Sequence, residues 1–196
     1  MSKPCTPAGQ VIIVSGPSGA GKSTLVRTLL KRCDLPIVLS VSATTRPPRA
    51  GEREGVDYHF LSQEEFQKRR LAGEFLEEKE VFGRGDWYGT LASEVTAGLS
   101  AGKWVLLEID VQGAMSVLPV YPDAATFFVH SGTLEELEKR LRDRRSETEA
   151  SIQRRLEVAR GEMDYLTQYR YTIVNETIDE AADEMCRILQ SLGEQG

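Results

Sequence analysis

Apolar positions along the chain follow two alternating rhythms. Val11-Ile12-Ile13-Val14-Ser15 is a short, nearly unbroken apolar run closed by glycine, the pattern of a strand buried on both faces. From Lys22 to Arg32 the period changes, with Leu25, Val26, Leu29 and Leu30 at helical spacing and Arg27, Lys31 and Arg32 between them. The pair of rhythms recurs as Trp104 to Ile109 then Val111 to Val117, Thr126 to Val129 then Leu134 to Leu141, and Tyr171 to Val174 then Ile178 to Leu192. Repeated strand–helix units predict an α/β fold, a parallel sheet with helices on both faces.

Residues 42 to about 96 break this order. Pro47, Pro48, Gly51, Gly55, Gly83, Gly85 and Gly89 separate short stretches such as Tyr58 to Leu61 and Phe75 to Val81. The expectation is a smaller, strand-rich lobe of mixed β/α character, inserted into a core at about 9–41 and 97–192. Between Lys139 and Arg145 stand five basic residues and one Asp, followed by Ser146-Glu147-Thr148-Glu149, a polar helix start. The connection is expected to be short and polar.

The 196 residues, 28% of them charged, are enough to bury a substantial core in one domain. The net charge of −6 argues against nucleic-acid binding through a basic surface, so an anionic ligand must be met locally. Apolar runs fall far short of the roughly 18 to 20 residues of a membrane span, and the first ten residues show no apolar leader. Cys5, Cys33 and Cys186 are odd in number and lack metal-ligand spacing, which fits reduced thiols in a cytoplasm and no zinc site.

Gly16-Pro17-Ser18-Gly19-Ala20-Gly21-Lys22-Ser23 fits the phosphate-binding loop pattern, with a strand before it and a helix after it. Its glycines let successive backbone N–H groups turn toward one point, and the helix dipole adds to them, so a polyphosphate is held without a basic surface. A plain glycine turn needs neither Lys22 nor Ser23. In this loop class the lysine reaches the β- and γ-phosphates and the serine ligates Mg²⁺. A carboxylate should follow a second buried strand, and Glu108 and Asp110 end the run Val105-Leu106-Leu107. Their spacing of two predicts that both face the same side. Capping of the next helix by Asp110 is a compatible second role.

From about Gln10 to Leu192 the chain resembles the guanylate kinases, P-loop enzymes that move the γ-phosphate of ATP to GMP. The ordered set carrying the resemblance is Ser15 to Thr24, Ser40-Val41-Ser42-Ala43-Thr44-Thr45-Arg46-Pro47-Pro48-Arg49, Gly51-Glu52, Asp57-Tyr58, Glu74-Phe75-Leu76-Glu77, Val81-Phe82-Gly83, Tyr88-Gly89-Thr90, Ile109-Asp110-Val111-Gln112-Gly113 and Ile173-Val174-Asn175. It implies ATP as donor, Mg²⁺, and GMP or dGMP as acceptor, in a core, a GMP-binding lobe near 42–96 and a lid near 140–157. It places ATP on Gly16 to Thr24, with Asn175 on the adenine side, and metal on Ser23 and Glu108, directly or through water. Glu108 stands where the family usually has the shorter Asp.

By the same resemblance the GMP phosphate meets Arg46, Arg49, Tyr58 and Tyr88. Guanidinium forks suit a phosphate because two parallel N–H bonds fix its orientation. Guanine presents N1–H and a 2-amino group as adjacent donors that one carboxylate can accept, and Glu77 holds that position. Ser42, Thr90 and Asp110 match further guanine contacts. Lys22, Arg46 and the lid arginines Arg140, Arg144 and Arg155 are the expected catalytic set, stabilising the transferring phosphoryl group. His59 and His130 need no catalytic role, because a phosphate acceptor is already largely ionised. The loop from Gly83 to Tyr88 is two residues longer than the common form. The alternatives are a non-catalytic protein-binding module of the same fold, which typically lacks the phosphate loop, and a kinase of another phosphorylated small molecule, which would not need Glu77 together with Ser42 and Thr90.

Overall fold

The computed structural model describes residues 9–81, 85–143 and 148–194. In chain order these form β1 (Val11–Ser15), α1 (Lys22–Arg32), β2 (Ile37–Leu39), β3 (Ala43–Thr44), β4 (His59–Phe60), α2 (Gln63–Leu71), β5 (Phe75–Val81) and β6 (Asp86–Leu91). There follow α3 (Ala92–Ser100), β7 (Trp104–Glu108), α4 (Val111–Val117), β8 (Ala125–His130), α5 (Leu134–Asp143), α6 (Glu149–Met163), a 3₁₀ turn at Leu166–Gln168, β9 (Tyr171–Val174) and α7 (Ile178–Gly193).

The main sheet has five strands in the order β2-β7-β1-β8-β9, each pair parallel. Central β1 explains the unbroken apolar run. Ile12 and Val14 face a core closed by Leu25, Val26 and Leu29 of α1 and by Ala181, Met185 and Leu189 of α7. Val11 and Ile13 face the opposite core, closed by Val95 of α3 and by Val111, Ala114 and Val117 of α4. With helices on both faces, neither face of β1 can be polar.

A second sheet, β4-β3-β6-β5, lies wholly within residues 42–96 and is antiparallel except for its β3–β4 pair. It has its own small core of Ala43, Phe66 and Leu91, with Leu61, Phe75 and Trp87 packed against them. The strand-rich reading of this stretch passes over α2. That helix is capped by Ser62, whose side chain accepts from the Glu65 N–H, yet Phe66 is its one buried residue, so it has almost no apolar stripe to read. Edge strand β2 escapes the pattern for a similar reason: it has three residues, two of them exposed.

Helices α5 and α6 pack as a pair around Leu137, Leu141, Ile152, Leu156 and Ala159. Helix α5 runs two residues beyond the expected Leu141. Thr148 caps α6 by accepting from the Ser151 N–H. Cys5, Phe82, Gly83, Arg84 and Arg144 lie outside the described residues. Among those described, no helix is long and apolar enough to cross a membrane.

Candidate active site

The loop between β1 and α1 is shaped by approaches that only glycine allows. Gly16 has φ +132°, and a Cβ there would lie 2.1 Å from the Val129 carbonyl oxygen. Gly21 has φ +88°, and a Cβ would lie 2.5 Å from Asn175 Nδ2. The Lys22 ammonium folds back over the loop and donates to the carbonyls of Gly16 (2.6 Å) and Pro17 (2.9 Å). It is the deep end of a half-buried side chain. Desolvation lowers its pKa below the ordinary lysine value, against the pull of Glu108, Glu162 and Asp110. Ser23 and Thr24, in the first turn of α1, are exposed.

Ser23 Oγ donates to Glu108 Oε1 at 2.5 Å. Strand β7 stops at Glu108, which pairs in register with Val14 beside the loop. Strand alternation therefore does not extend to Asp110, a correction to the two-residue argument. Asp110 instead caps α4, with Oδ1 accepting from the Gly113 N–H at 2.8 Å and Oδ2 receiving Lys79 Nζ at 2.5 Å. Both carboxylates still act on Lys22.

Asn175 is fully buried beneath the loop, where Nδ2 donates to the Ala20 carbonyl at 2.7 Å. Its amide nitrogen thus holds the loop from beneath, while Oδ1 is buried without a hydrogen-bond partner among the described residues. Arg140 Nη2 donates to the carbonyls of Asn175 (2.7 Å) and Glu176 (3.2 Å), tying α5 to the end of β9. Arg155 on α6 reaches Ser18 Oγ at 3.3 Å.

Across the opening, the Arg46 guanidinium is held by four hydrogen bonds to three residues. Its Nη1 and Nη2 donate to the two Glu52 carboxylate oxygens at 3.0 and 2.9 Å, Nη1 also donates to the Pro47 carbonyl, and Nε donates to Tyr88 Oη at 3.1 Å. The guanidinium lies 5.4 Å from the Tyr58 ring centre, and Tyr58 meets Tyr88 edge to face. The bonds to Glu52 and Tyr88 hold the Arg46 pKa above its usual value, and the same fork holds Glu52 below the usual carboxylate range. Arg49 donates its backbone N–H to Glu52 at 2.7 Å. Glu52 is therefore the organiser of this corner; Gly51-Glu52 carries part of the family resemblance, but the sequence assigned Glu52 no role.

Glu77 on β5 pairs across the sheet with Thr90 on β6, whose Oγ1 donates to Oε1 at 2.7 Å. Burial pushes the Glu77 carboxyl above the usual range; the Thr90 hydroxyl partly offsets it, and Asp110 adds to the rise. A Cβ on Gly113 would lie 3.0 Å from Glu77 Oε2, so that glycine lets the carboxylate reach the N-terminal turn of α4. Ser42, at the entry to β3, accepts the His59 N–H with its backbone carbonyl.

A cleft of about 630 Å³ opens between these corners, lined by Ser18, Arg46, Arg49, Tyr88, Arg154 and Arg155 among others. Four guanidinium groups around one opening supply the local positive potential that a chain of net charge −6 lacks overall. Arg154 was not singled out in the sequence, although it adjoins Arg155. Lys22 and Glu77 are not part of this lining, each being bonded to protein partners.

A family model described as guanylate kinase matches residues 8–192. A guanylate kinase of Rhodopirellula baltica is 59% identical over 183 residues, covering 92% of this chain and 87% of the relative. One of Fusobacterium nucleatum is 45% identical over 183 residues, covering 93% and 97%. The crystal structure of guanylate kinase from Anaplasma phagocytophilum superposes with a TM-score of 0.75 at 34% identity, covering 95% of this chain and 87% of that one. Matched over most of its length by the family model and by these relatives, the chain belongs to the guanylate kinase family.

Proposed function

We propose that this chain transfers the γ-phosphate of ATP to GMP, and to dGMP, yielding ADP and the nucleoside diphosphate. The observation that carries the reading is the pairing of two sites across one cleft. On one side a phosphate-binding loop holds a retracted lysine, and on the other an arginine is anchored to Tyr88 of β6, the strand whose Thr90 bonds the half-buried Glu77. ATP phosphates fit Gly16 to Thr24, where Lys22 would leave its two loop carbonyls for the β- and γ-oxygens. Ser23 and Glu108 offer a hydroxyl and a carboxylate side by side, hard oxygen donors that suit Mg²⁺, and these two would hold it. When bound, the ion neutralises phosphate charge.

Arg46 has five N–H bonds and spends four on Glu52, Pro47 and Tyr88, so a GMP phosphate receives one N–H from a guanidinium already fixed in direction. Arg49, with no guanidinium hydrogen bond among the described residues, supplies a second fork. Tyr58 and Tyr88 complete the phosphate side. Guanine would exchange the Thr90 hydroxyl for a shared contact with Glu77, with Ser42 and Asp110 beside it. Transfer is in-line and needs no general base, because alignment and charge neutralisation carry phosphoryl transfer. Arg140, Arg155 and Arg144 then act on the transferring group as the lid near 140–157 closes.

The test is ADP formation with Mg·ATP and GMP, AMP, UMP or CMP in turn. GMP-dependent turnover is expected, and turnover that is absent or indifferent to the acceptor overturns the reading. Arg46→Lys should raise the KM for GMP by about tenfold or more, because an ammonium cannot hold Glu52 in two places and donate to Tyr88 as well. An unchanged GMP KM would remove Arg46 from the site.

A further inference from the structure

Two carboxylates converge where the second lobe meets the core. Glu77 Oε2 lies against Gly113, close enough that a Cβ there would come within 3.0 Å of it, and Asp110 Oδ1 accepts the Gly113 N–H at 2.8 Å. Like charges at such range repel, and Asp110 adds to the upward push on the Glu77 carboxyl. A cation answers them from the lobe. Lys79 stands two residues after Glu77 on β5, in the regular part of the ladder where Glu77 pairs with Thr90 and Lys79 with Tyr88, so both side chains leave the same face of the sheet. Its Nζ donates to Asp110 Oδ2 at 2.5 Å, joining β5 to the start of α4 across 31 positions of chain. With side chains 45% and 33% exposed, such a pair contributes little to folding stability.

We infer that Lys79 is a positioning residue for guanine: it fixes the second oxygen of Asp110, so that this carboxylate accepts from the 2-amino group beside Glu77. That amino group has two hydrogens, of which Glu77 takes the one next to N1–H and Asp110 the other. Gly113 holds only Oδ1, and a carboxylate held at one oxygen turns away from a like-charged neighbour. With Lys79 on Oδ2 it is held at both, and each oxygen keeps a further lone pair for a guanine donor. The ammonium belongs to the lobe and the carboxylate to the core, so the same bond sets the spacing of the two carboxylates before GMP arrives. Preorganisation of this kind raises affinity by removing the cost of ordering them. The sequence assigned Lys79 no role.

The inference rests on GMP as the acceptor, and inosine monophosphate, which is GMP without the 2-amino group, separates the two. Calorimetric titration with GMP, and competition against it by inosine monophosphate, give both binding constants. The wild type should prefer GMP. Lys79→Met, which keeps the stem of the side chain and removes the charge, should weaken GMP binding by about tenfold, the worth of one well-placed charge-assisted contact, and change inosine monophosphate much less. Lys79→Gln repeats the comparison should methionine impair folding, and Lys79→Arg, which keeps the charge, should restore most of the preference. In an Asp110→Asn background, where the preference is already lost, Lys79→Met should have no further effect on it. Equal weakening of both nucleotides, a full GMP preference in Lys79→Met or Asp110→Asn, or an undiminished effect of Lys79→Met in the Asp110→Asn background overturns the role of Lys79. Failure of the wild type to bind GMP, or to prefer it, overturns the acceptor reading itself.

Discussion

Lys22→Met should lower kcat for GMP phosphorylation by about 10²- to 10³-fold, the usual effect of removing one preorganised charge from a developing transition state. No other lysine in the described structure reaches the loop carbonyls, and the arginines lining the cleft approach from α6 and from the segment after β3. Methionine fills the space of the lysine stem, so the loss is one of charge and not of packing. Steady-state kinetics with GMP and Mg·ATP read the effect directly. Activity within tenfold of the wild type would remove Lys22 from the transfer step.

The same residue gives the wild type a pH signature. Burial lowers the Lys22 pKa below 10.5 in the free protein, and bound phosphate would raise it again. The alkaline limb of kcat/KM for ATP, which reports the free enzyme, should therefore lie below 10.5, with the limb of kcat at higher pH. Stability follows by linkage. The unfolded chain holds the Lys22 proton more tightly than the fold does, so this group costs stability at low pH, and the cost fades as pH rises through the lowered folded pKa. Lys22→Met should abolish that rise, measured as the difference in denaturant midpoint between neutral and alkaline pH.

Glu77→Gln should cut kcat/KM for GMP by about 10²- to 10³-fold, while the unliganded protein becomes no less stable. A carboxylate accepts from both guanine donors, whereas an amide presents one acceptor and one donor, so one guanine N–H meets a like group. That mismatch in a buried site is what produces strong discrimination. Stability moves the other way because the Glu77 carboxyl is held above 4.5, so ionisation is disfavoured in the fold. The native state gains from this group where it is protonated in both states, and loses that gain as pH rises from 4.5 through the raised folded pKa. Glutamine has no such dependence. Retained GMP preference, or a neutral-pH midpoint well below that of the wild type, would contradict the assignment.

Glu77 also shows where the sequence stops being legible. Phe75 pairs with Leu91, but the register then shifts by one residue, and Glu77 rather than Leu76 stands opposite Thr90. A regular ladder would have placed Glu77 beside Gly89, without the hydroxyl. Because strand neighbours alternate faces, one inserted residue decides what a side chain meets. Nothing local in Glu74-Phe75-Leu76-Glu77 announces such a bulge, so only the family resemblance could single Glu77 out from its acidic neighbours.

The phosphate loop is the opposite case. Glycine, lysine and serine spacing, a preceding apolar run and a following helical stripe are properties of adjacent residues, and adjacent residues are all the loop needs to turn its N–H groups inward. The same holds for the parallel sheet, since β1, β7 and β8 are read from the burial of both their faces. Sequence by itself therefore determined the strand–helix order, the phosphate loop and the broken rhythm of the 42–96 stretch. Tertiary structure decided which distant groups share a point. It brought Tyr88 to Arg46, Asn175 to Ala20 across 155 positions, and Ser23 to Glu108. Periodicity records which face of an element is buried, but a meeting of two elements depends on how their surfaces pack, and no single segment carries that information.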